Sequence, residues 1–375
     1  MLMVRLTHLV LLLSCVQPAV AATSHDGATT RAPLGSEAQE KVIASIDEVV
    51  AKAMEDPGAV GLSLAVAVGG ELLYSNGYGM AELEHDVAAD KDTMFRIGSI
   101  TKQYTAAAIV RLAEQDKLYI DDPLERFVPE FNTRGQEITI RNLLTHTSGI
   151  FNYTNLGPSW FQYIALDREH DEMLSLVAEK PLDFTPGSAY SYSNTGYYLL
   201  GMIVEEASGM DFPSYLEAEL LSPPGLDRTT YDSNRSLMRN RAQGYVRLPS
   251  GGFANDDMMS PTQPYAAGAM LATGEDLVHW TLALNSGQVV SVESYEEMTL
   301  PFLLDDGRES LYGFGLDLHD IEGQPCISHG GGVSGFNSMM MHFPETGLTV
   351  AVISNCEGFS ARTVASKLVR LLQAK

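Results

Sequence analysis

"CISHGGGVSGFNSMMMHFPETGLTVAVISN" (residues 326–355) contains three apolar runs separated by two turn signals, a Gly-rich break near Val333 and "PETG" at 344–347. Runs of this length, bounded by Gly and Pro, read as three consecutive antiparallel strands. In that register Cys326 lies opposite about His342, and Cys356, just past the last run, lies opposite about Gly335. Seven residues at ~3.3 Å each separate the two thiols by roughly 20 Å, so they are not expected to pair. "ARTVASKLVRLLQA" (361–374) follows with helical spacing.

Working outward, "GEDLVHWTLALNSG" (274–287) is helical and "YGFGLDL" (312–318) strand-like. Near the other end, "SEAQEKVIASIDEVVAKAMEDPG" (36–58) carries Val42, Ile43, Ile46, Val49 and Val50 at helical spacing after a capping serine. "AVGLSLAVAV" and "ELLYSNGYG" flank Gly69-Gly70, the chemistry of a two-residue hairpin. The expected fold class is therefore α/β of the α+β type: one antiparallel sheet flanked by helices, formed by 36–110 and 271–375. Residues 111–270 alternate short helical stretches with Pro-, Gly-, Asn- and Tyr-rich loops and read as a mostly helical inserted subdomain. Glu205-Glu206 and "REHDE" (168–172) read as solvated helix charge.

A chain of 375 residues can bury a large core, and its net charge of -24 argues against binding nucleic acid or inserting into anionic membranes. Residues 1–21, with Arg5, an apolar run and Ala19-Val20-Ala21, read as a secretory signal peptide cut after Ala21. That predicts a secreted or periplasmic protein. The alternative is a lipoprotein tether through Cys15 of "LLSC". Residues 22–35 are a flexible, polar lead-in.

For chemistry, "RIGSITKQYTAAAIV" (96–110) is the informative segment. Ser99 could cap a helix starting there, but a good cap is followed three residues later by Glu or Gln. This chain instead has Lys102, a cation at the positive end of the helix dipole. Residues three apart share a helix face, so the amine can reach the serine hydroxyl. A lysine whose pKa is lowered can activate a serine nucleophile, and the helix start offers the Ser99 N–H to an oxyanion. Other sites lack support. "GGGVSG" (330–335) fits G-x-G-x-x-G but is followed by strands; H-E-x-x-H and G-x-S-x-G are absent; the histidines lack metal-ligand spacing. Neither metal nor cofactor is expected.

With Ser99-x-x-Lys102, two further segments, Tyr192-Ser193-Asn194 before a helix and His329-Gly330-Gly331 ending a strand, complete a trio. In this order they resemble the serine β-lactamase and penicillin-binding-protein superfamily, in its class C-like branch of D-aminopeptidases, DD-carboxypeptidases and esterases. The resemblance runs from about residue 40 onward, through "ITIRNLLTHTSGI" and "AAGAMLATGEDLVHW". It implies an acyl-enzyme serine hydrolase in which Ser99 is the nucleophile, Lys102 its proton partner and Tyr192 the proton shuttle, its phenol pKa lowered by two neighbouring cations. Asn194 would hold the substrate amide and His329 would stand where β-lactamases usually have lysine. Gly331 would keep the edge strand open for substrate, and Gly332 would complete the oxyanion hole. His146 of "LLTHTSG" reads as a structural residue at a helix end. Histidine at 329 carries little charge near pH 7, which weakens the case for potent β-lactamase activity. The expected activity is a D-aminopeptidase- or DD-carboxypeptidase-like peptidase on a small-molecule or peptide substrate. Alternatives are a carboxylesterase, a weak β-lactamase and a non-catalytic penicillin-binding sensor or scaffold.

Overall fold

The computed structural model describes residues 36–374; the signal-peptide, lead-in and Cys15 readings lie outside them. The apolar residues at helical spacing form α1 (Ser36–Met54), and Gly69 and Gly70, with φ of +61° and +79°, turn β1 (Gly61–Val68) into β2 (Glu71–Glu82). Both central residues at positive φ are what a tight hairpin turn with right-handed twist demands. The short β3 (Val87–Ala88) adds to β2.

From the other end of the chain come β4 (Asp317–Ile321), β5 (Gln324–Val333), β6 (Phe336–Phe343) and β7 (Leu348–Ser354). These seven strands make one antiparallel sheet in the order β3-β2-β1-β7-β6-β5-β4. Of "YGFGLDL", only Asp317 and Leu318 enter β4, because Tyr312 to Gly315 curl back beneath the start of the central helix. β4 pairs with β5 only as far as Ser328, which leaves His329 to Val333 without a neighbour on that side. Cys326 and Cys356 are buried and free.

Alternation along the strands assigns the two faces. Leu62, Leu64 and Val66 with Met339 and Met341 pack against α1 and the last helix (Ala361–Gln373), while Ala65, Ala67, Met340 and Ala351 face the other core. That second core contains α2 (Thr101–Glu114), α3 (Asn194–Ser208) and α4 (Gly274–Asn285). Every α2 residue from Thr101 to Val110 is buried, so it is the central helix of the molecule. Between residues 111 and 270 the structure places helices, turns and a small hairpin of strands 245–247 and 253–255. Strands 95–96, 230–231 and 270–272 form a separate three-stranded sheet. Among the described residues no helix is long and apolar enough to cross a membrane.

Glu205 departs from its reading as solvated charge. It is half-buried and accepts from Tyr265 Oη at 2.7 Å and the Phe212 amide at 2.9 Å, with His170 Nε2 at 3.2 Å. Those donors hold its carboxyl below the usual range despite the opposing effect of burial.

Candidate active site

α2 does not start at Ser99. Gly98–Ile100 form a turn of 3-10 helix that feeds into Thr101, and the Ser99 side chain caps nothing. It faces Lys102 instead: Lys102 Nζ lies 3.2 Å from Ser99 Oγ, 2.8 Å from Asn194 Oδ1 and 2.7 Å from the Ala267 carbonyl. The Lys102 residue is 0 % exposed, and burial holds its pKa well below the usual lysine value. Burial thus favours the neutral amine, the form that the helix dipole does not repel. The Ala267 carbonyl and Asn194 Oδ1 can only accept, so they take the two N–H bonds of a neutral amine. Its lone pair is then left for the Ser99 hydroxyl proton.

The backbone beside Ser99 closely approaches the end of β5. Gly98 has φ +52°, and a Cβ there would lie 2.7 Å from the Gly332 nitrogen. Only glycine therefore lets the chain carrying Ser99 touch the end of β5. Gly331 works differently from its expected role. A Cβ at 331 would run into the Ile97 carbonyl and the Ser338 hydroxyl, so its missing side chain makes room for the Ile97 backbone, not for substrate. Ser338 Oγ fixes that backbone by donating to Ile97 O at 2.8 Å. A Cβ at Gly332 would meet open space, and Gly332 lines the cavity at Ser99.

Tyr192 is placed by His146. The Ser191 amide donates to the His146 carbonyl at 3.0 Å and the Ser193 amide to His146 Nδ1 at 3.2 Å, so one residue holds the backbone on both sides of Tyr192. His146 does this at φ +58°, an uncommon conformation for a residue with a side chain. Its ring centroid lies 4.2 Å from that of Tyr192, 4.7 Å from Tyr312 and 5.0 Å from Tyr197. Since Nδ1 accepts, Nε2 carries the proton, and that buried N–H has no hydrogen-bond partner. The Tyr192 hydroxyl is also buried without a well-formed hydrogen bond. Burial raises its pKa, only partly opposed by the Ser99 hydroxyl; the expected lowering by two cations is absent.

His329 is a neutral group. Its Nδ1 donates to the Gly330 carbonyl at 2.6 Å, so Nε2 accepts from Tyr312 Oη at 2.9 Å. Burial pushes the imidazole down to about 4, against the pull of Asp317 and with Lys102 and Arg362 adding to the fall. The side chain is turned inward and does not line the cavity at Ser99. Tyr312 is a partner that the sequence reading missed, because its contact to His329 depends on the chain curling back before β4.

The cavity at Ser99 has a volume of about 490 Å³ and includes Asn194, Tyr153, Trp160, Phe161, Met259 and Phe336 in its lining. Glu357 is the charged lining residue, and no Lys, Arg or His is among them. Burial and the neighbouring Asp256 raise the Glu357 carboxyl above its usual range.

Residues 46–374 match the family profile described as Beta-lactamase. The chain belongs to the Beta-lactamase family. As a Beta-lactamase-family chain it is a serine hydrolase, with relatives of several activities. It is 31 % identical to penicillin-binding protein 4* of Bacillus subtilis (strain 168) over 79 % of this chain and 68 % of that protein. It is 28 % identical to a D-aminopeptidase of Gluconobacter oxydans (strain 621H) over 83 % of this chain but only 58 % of that protein. The crystal structure of D-amino acid amidase from Ochrobactrum anthropi SV3, complexed with L-phenylalanine amide, superposes with a TM-score of 0.74 at 26 % identity. That match covers 90 % of this chain and 98 % of the amidase.

Proposed function

We propose that this Beta-lactamase-family hydrolase cleaves amides or esters whose reacting portion carries no carboxylate, with D-aminoacyl amides as the leading substrate class. The observation that carries this reading is the charge of the site. The cavity at Ser99 presents the Glu357 carboxylate and no cation, and His329 is neutral and turned inward. A peptide C-terminal carboxylate or a β-lactam carboxylate belongs to the leaving group, and on that side the inward-turned, neutral His329 gives it no counter-charge, so its desolvation is costly. A free ammonium or an uncharged acyl group meets no such penalty. The carboxypeptidase and β-lactamase readings therefore rank below amidase, aminopeptidase and esterase. The D-aminopeptidase and the D-amino acid amidase among its relatives support the D-aminoacyl class.

In this mechanism Ser99 Oγ attacks the carbonyl carbon while its proton passes to the Lys102 lone pair, and the oxyanion forms against the Ser99 and Gly332 amides. The Tyr192 phenol donates its proton to the departing nitrogen or oxygen as the C–N or C–O bond breaks, and recovers a proton from Lys102. Water then attacks the acyl-enzyme, giving its proton to the same pair, which returns it to Ser99 Oγ as the acyl–oxygen bond breaks. Asn194, whose Oδ1 accepts from Lys102, also lines the cavity and presents its amide to the substrate.

The test is hydrolysis by the wild type and Ser99→Ala of four chromogenic or peptide substrates: a D-alanyl anilide, an acyl-D-Ala-D-Ala peptide, a 4-nitrophenyl ester and a cephalosporin. The reading expects turnover of the anilide and ester, lost in Ser99→Ala. Preference for the acyl-D-Ala-D-Ala peptide or the cephalosporin would reject it, and persistence in Ser99→Ala would reject the nucleophile.

A further inference from the structure

The cavity at Ser99 faces one part of a substrate, and its wall suits one kind of group. Tyr192, the proton donor to the leaving group in the mechanism above, does not line it, and neither do Tyr190, Tyr312 or His329. The cavity lies on the Asn194 and Gly332 side of the nucleophile. A leaving group must sit within reach of the Tyr192 hydroxyl, so the cavity receives the other half of the substrate, the acyl group that becomes esterified to Ser99.

Part of its wall is apolar and held in place, and Thr154, Ser334, Asn337 and Glu357 supply a polar part. Tyr153, Trp160, Ile164, Met259 and Phe336 are buried side chains, and Phe161 stands at the rim, 53 % exposed. Gln263 secures this wall: Oε1 accepts from Trp160 Nε1 at 2.8 Å, while Nε2 donates to the Leu166 carbonyl at 2.7 Å and the Tyr163 carbonyl at 3.2 Å. Gln263 belongs to the same short segment as Pro264, which lines the cavity, and Ala267, whose carbonyl holds Lys102. The wall and the catalytic amine are thus fixed by one piece of backbone, and the pocket needs little rearrangement on binding. A cavity of about 490 Å³ is ample for an aromatic ring, and it would leave an acetyl group largely unpacked.

We propose that this pocket selects substrates with a bulky apolar acyl group, an arylalkyl or branched alkyl side chain, over small acyl groups, and that Phe161 is a specificity-determining residue at its mouth. This rests on the assignment of Ser99 and Tyr192 made above. No covalent step is added to the one already written.

The experiment uses two matched pairs, 4-nitrophenyl phenylacetate against acetate and D-phenylalanyl against D-alanyl 4-nitroanilide. Each is measured with the wild type, Phe161→Ala and Ser99→Ala, the ester rates divided by uncatalysed hydrolysis. The larger acyl group is expected to be favoured by about ten-fold or more in kcat/KM, the scale a hydrophobic pocket achieves per added apolar group. Phe161→Ala should compress that ratio by about ten-fold, mainly through KM of the larger substrate. Because Phe161 is largely exposed, its truncation is expected to leave the circular dichroism unchanged. Equal or reversed preference, or a Phe161→Ala effect identical for both members of a pair, overturns the acyl-pocket assignment alone. Absence of turnover for all four substrates, or turnover surviving in Ser99→Ala, overturns the functional reading and this inference with it.

Discussion

His329 gives the sharpest quantitative expectation. Buried beside Tyr312, it is held neutral with its pKa pushed down to about 4, whereas an unfolded imidazole titrates near ~6.5. Between those values the unfolded chain binds the extra proton and the folded chain does not. The stabilising effect is therefore complete above about pH 6.5 and is lost as pH falls toward 4. Each pH unit in that window costs ~1.36 kcal/mol, so from pH 7 to pH 5 this one histidine removes about 2 kcal/mol of stability. His329→Gln keeps an acceptor for the Tyr312 hydroxyl but cannot titrate. Urea unfolding followed by the fluorescence of the buried Trp160 and Trp280, at pH 7 and pH 5, isolates the contribution as a double difference. The acid-induced loss in wild type should exceed that in His329→Gln by about 2 kcal/mol. Parallel losses in the two proteins would mean that the imidazole takes up its proton without unfolding, and would refute the claim that His329 is held neutral.

Other expectations follow from single contacts. His342, also buried and pushed down to about 4, should contribute a similar acid-side loss, removed in His342→Gln and measured in the same way. Gly331→Ala should abolish most activity even though it adds one methyl group, because the Cβ meets the Ile97 backbone, which cannot swing aside as a side chain could; kcat and the folded fraction by circular dichroism separate this from unfolding. His146→Ala removes the side-chain acceptor of the Ser193 amide and the ring packed on Tyr192, while the carbonyl that holds Ser191 remains, and should lower kcat by about 10²-fold with little change in KM, since the substrate does not touch it. An unaltered kcat would show that Tyr192 needs no such support.

The fold was largely legible because its signals are local. Alternation marks Leu62, Leu64 and Val66, and again Met339 and Met341, as one face of a sheet, and Gly69-Gly70 announces its own turn. Ser99 and Lys102 were legible for the same reason, since i to i+3 spacing is a property of one helix. Tyr312 was not, because the alternation of aromatics and glycines in "YGFG" imitates a strand, while its actual partner is His329. The work of Gly331 was hidden too, as the Ile97 carbonyl it accommodates is held by Ser338, 241 residues away along the chain. Nor does any periodicity mark the wall around Trp160, which Gln263 secures from another segment. His146 left a faint trace, a histidine just before "TSG", but the strain in its backbone and its grip on Ser191 and Ser193 exist only in the folded chain.

Burial disfavours charge on the side chains around Ser99. Burial lowers the pKa of Lys102, His146 and His329 and raises that of Tyr192, so every one of them favours its neutral form. In the proposed mechanism charge then appears as Ser99 reacts, when the proton reaches Lys102 and the oxyanion forms. The Ala267 carbonyl and Asn194 Oδ1, already bonded to the amine, are oriented to meet the new ammonium, while the helix start meets the new anion. A lysine in the first turn of a helix is thus suited to a base that must stay deprotonated until it is used. Lys102→Arg tests that logic, since a guanidinium cannot give up its proton and would carry charge permanently into the buried site. Compared with Lys102→Met, which brings no charge, the arginine variant should melt at lower temperature although it can still donate hydrogen bonds, and both should be inactive. An arginine variant as stable as wild type, or one that still acylates Ser99 near neutral pH, would show that the site tolerates a resting cation and that the lysine does not act as a neutral base.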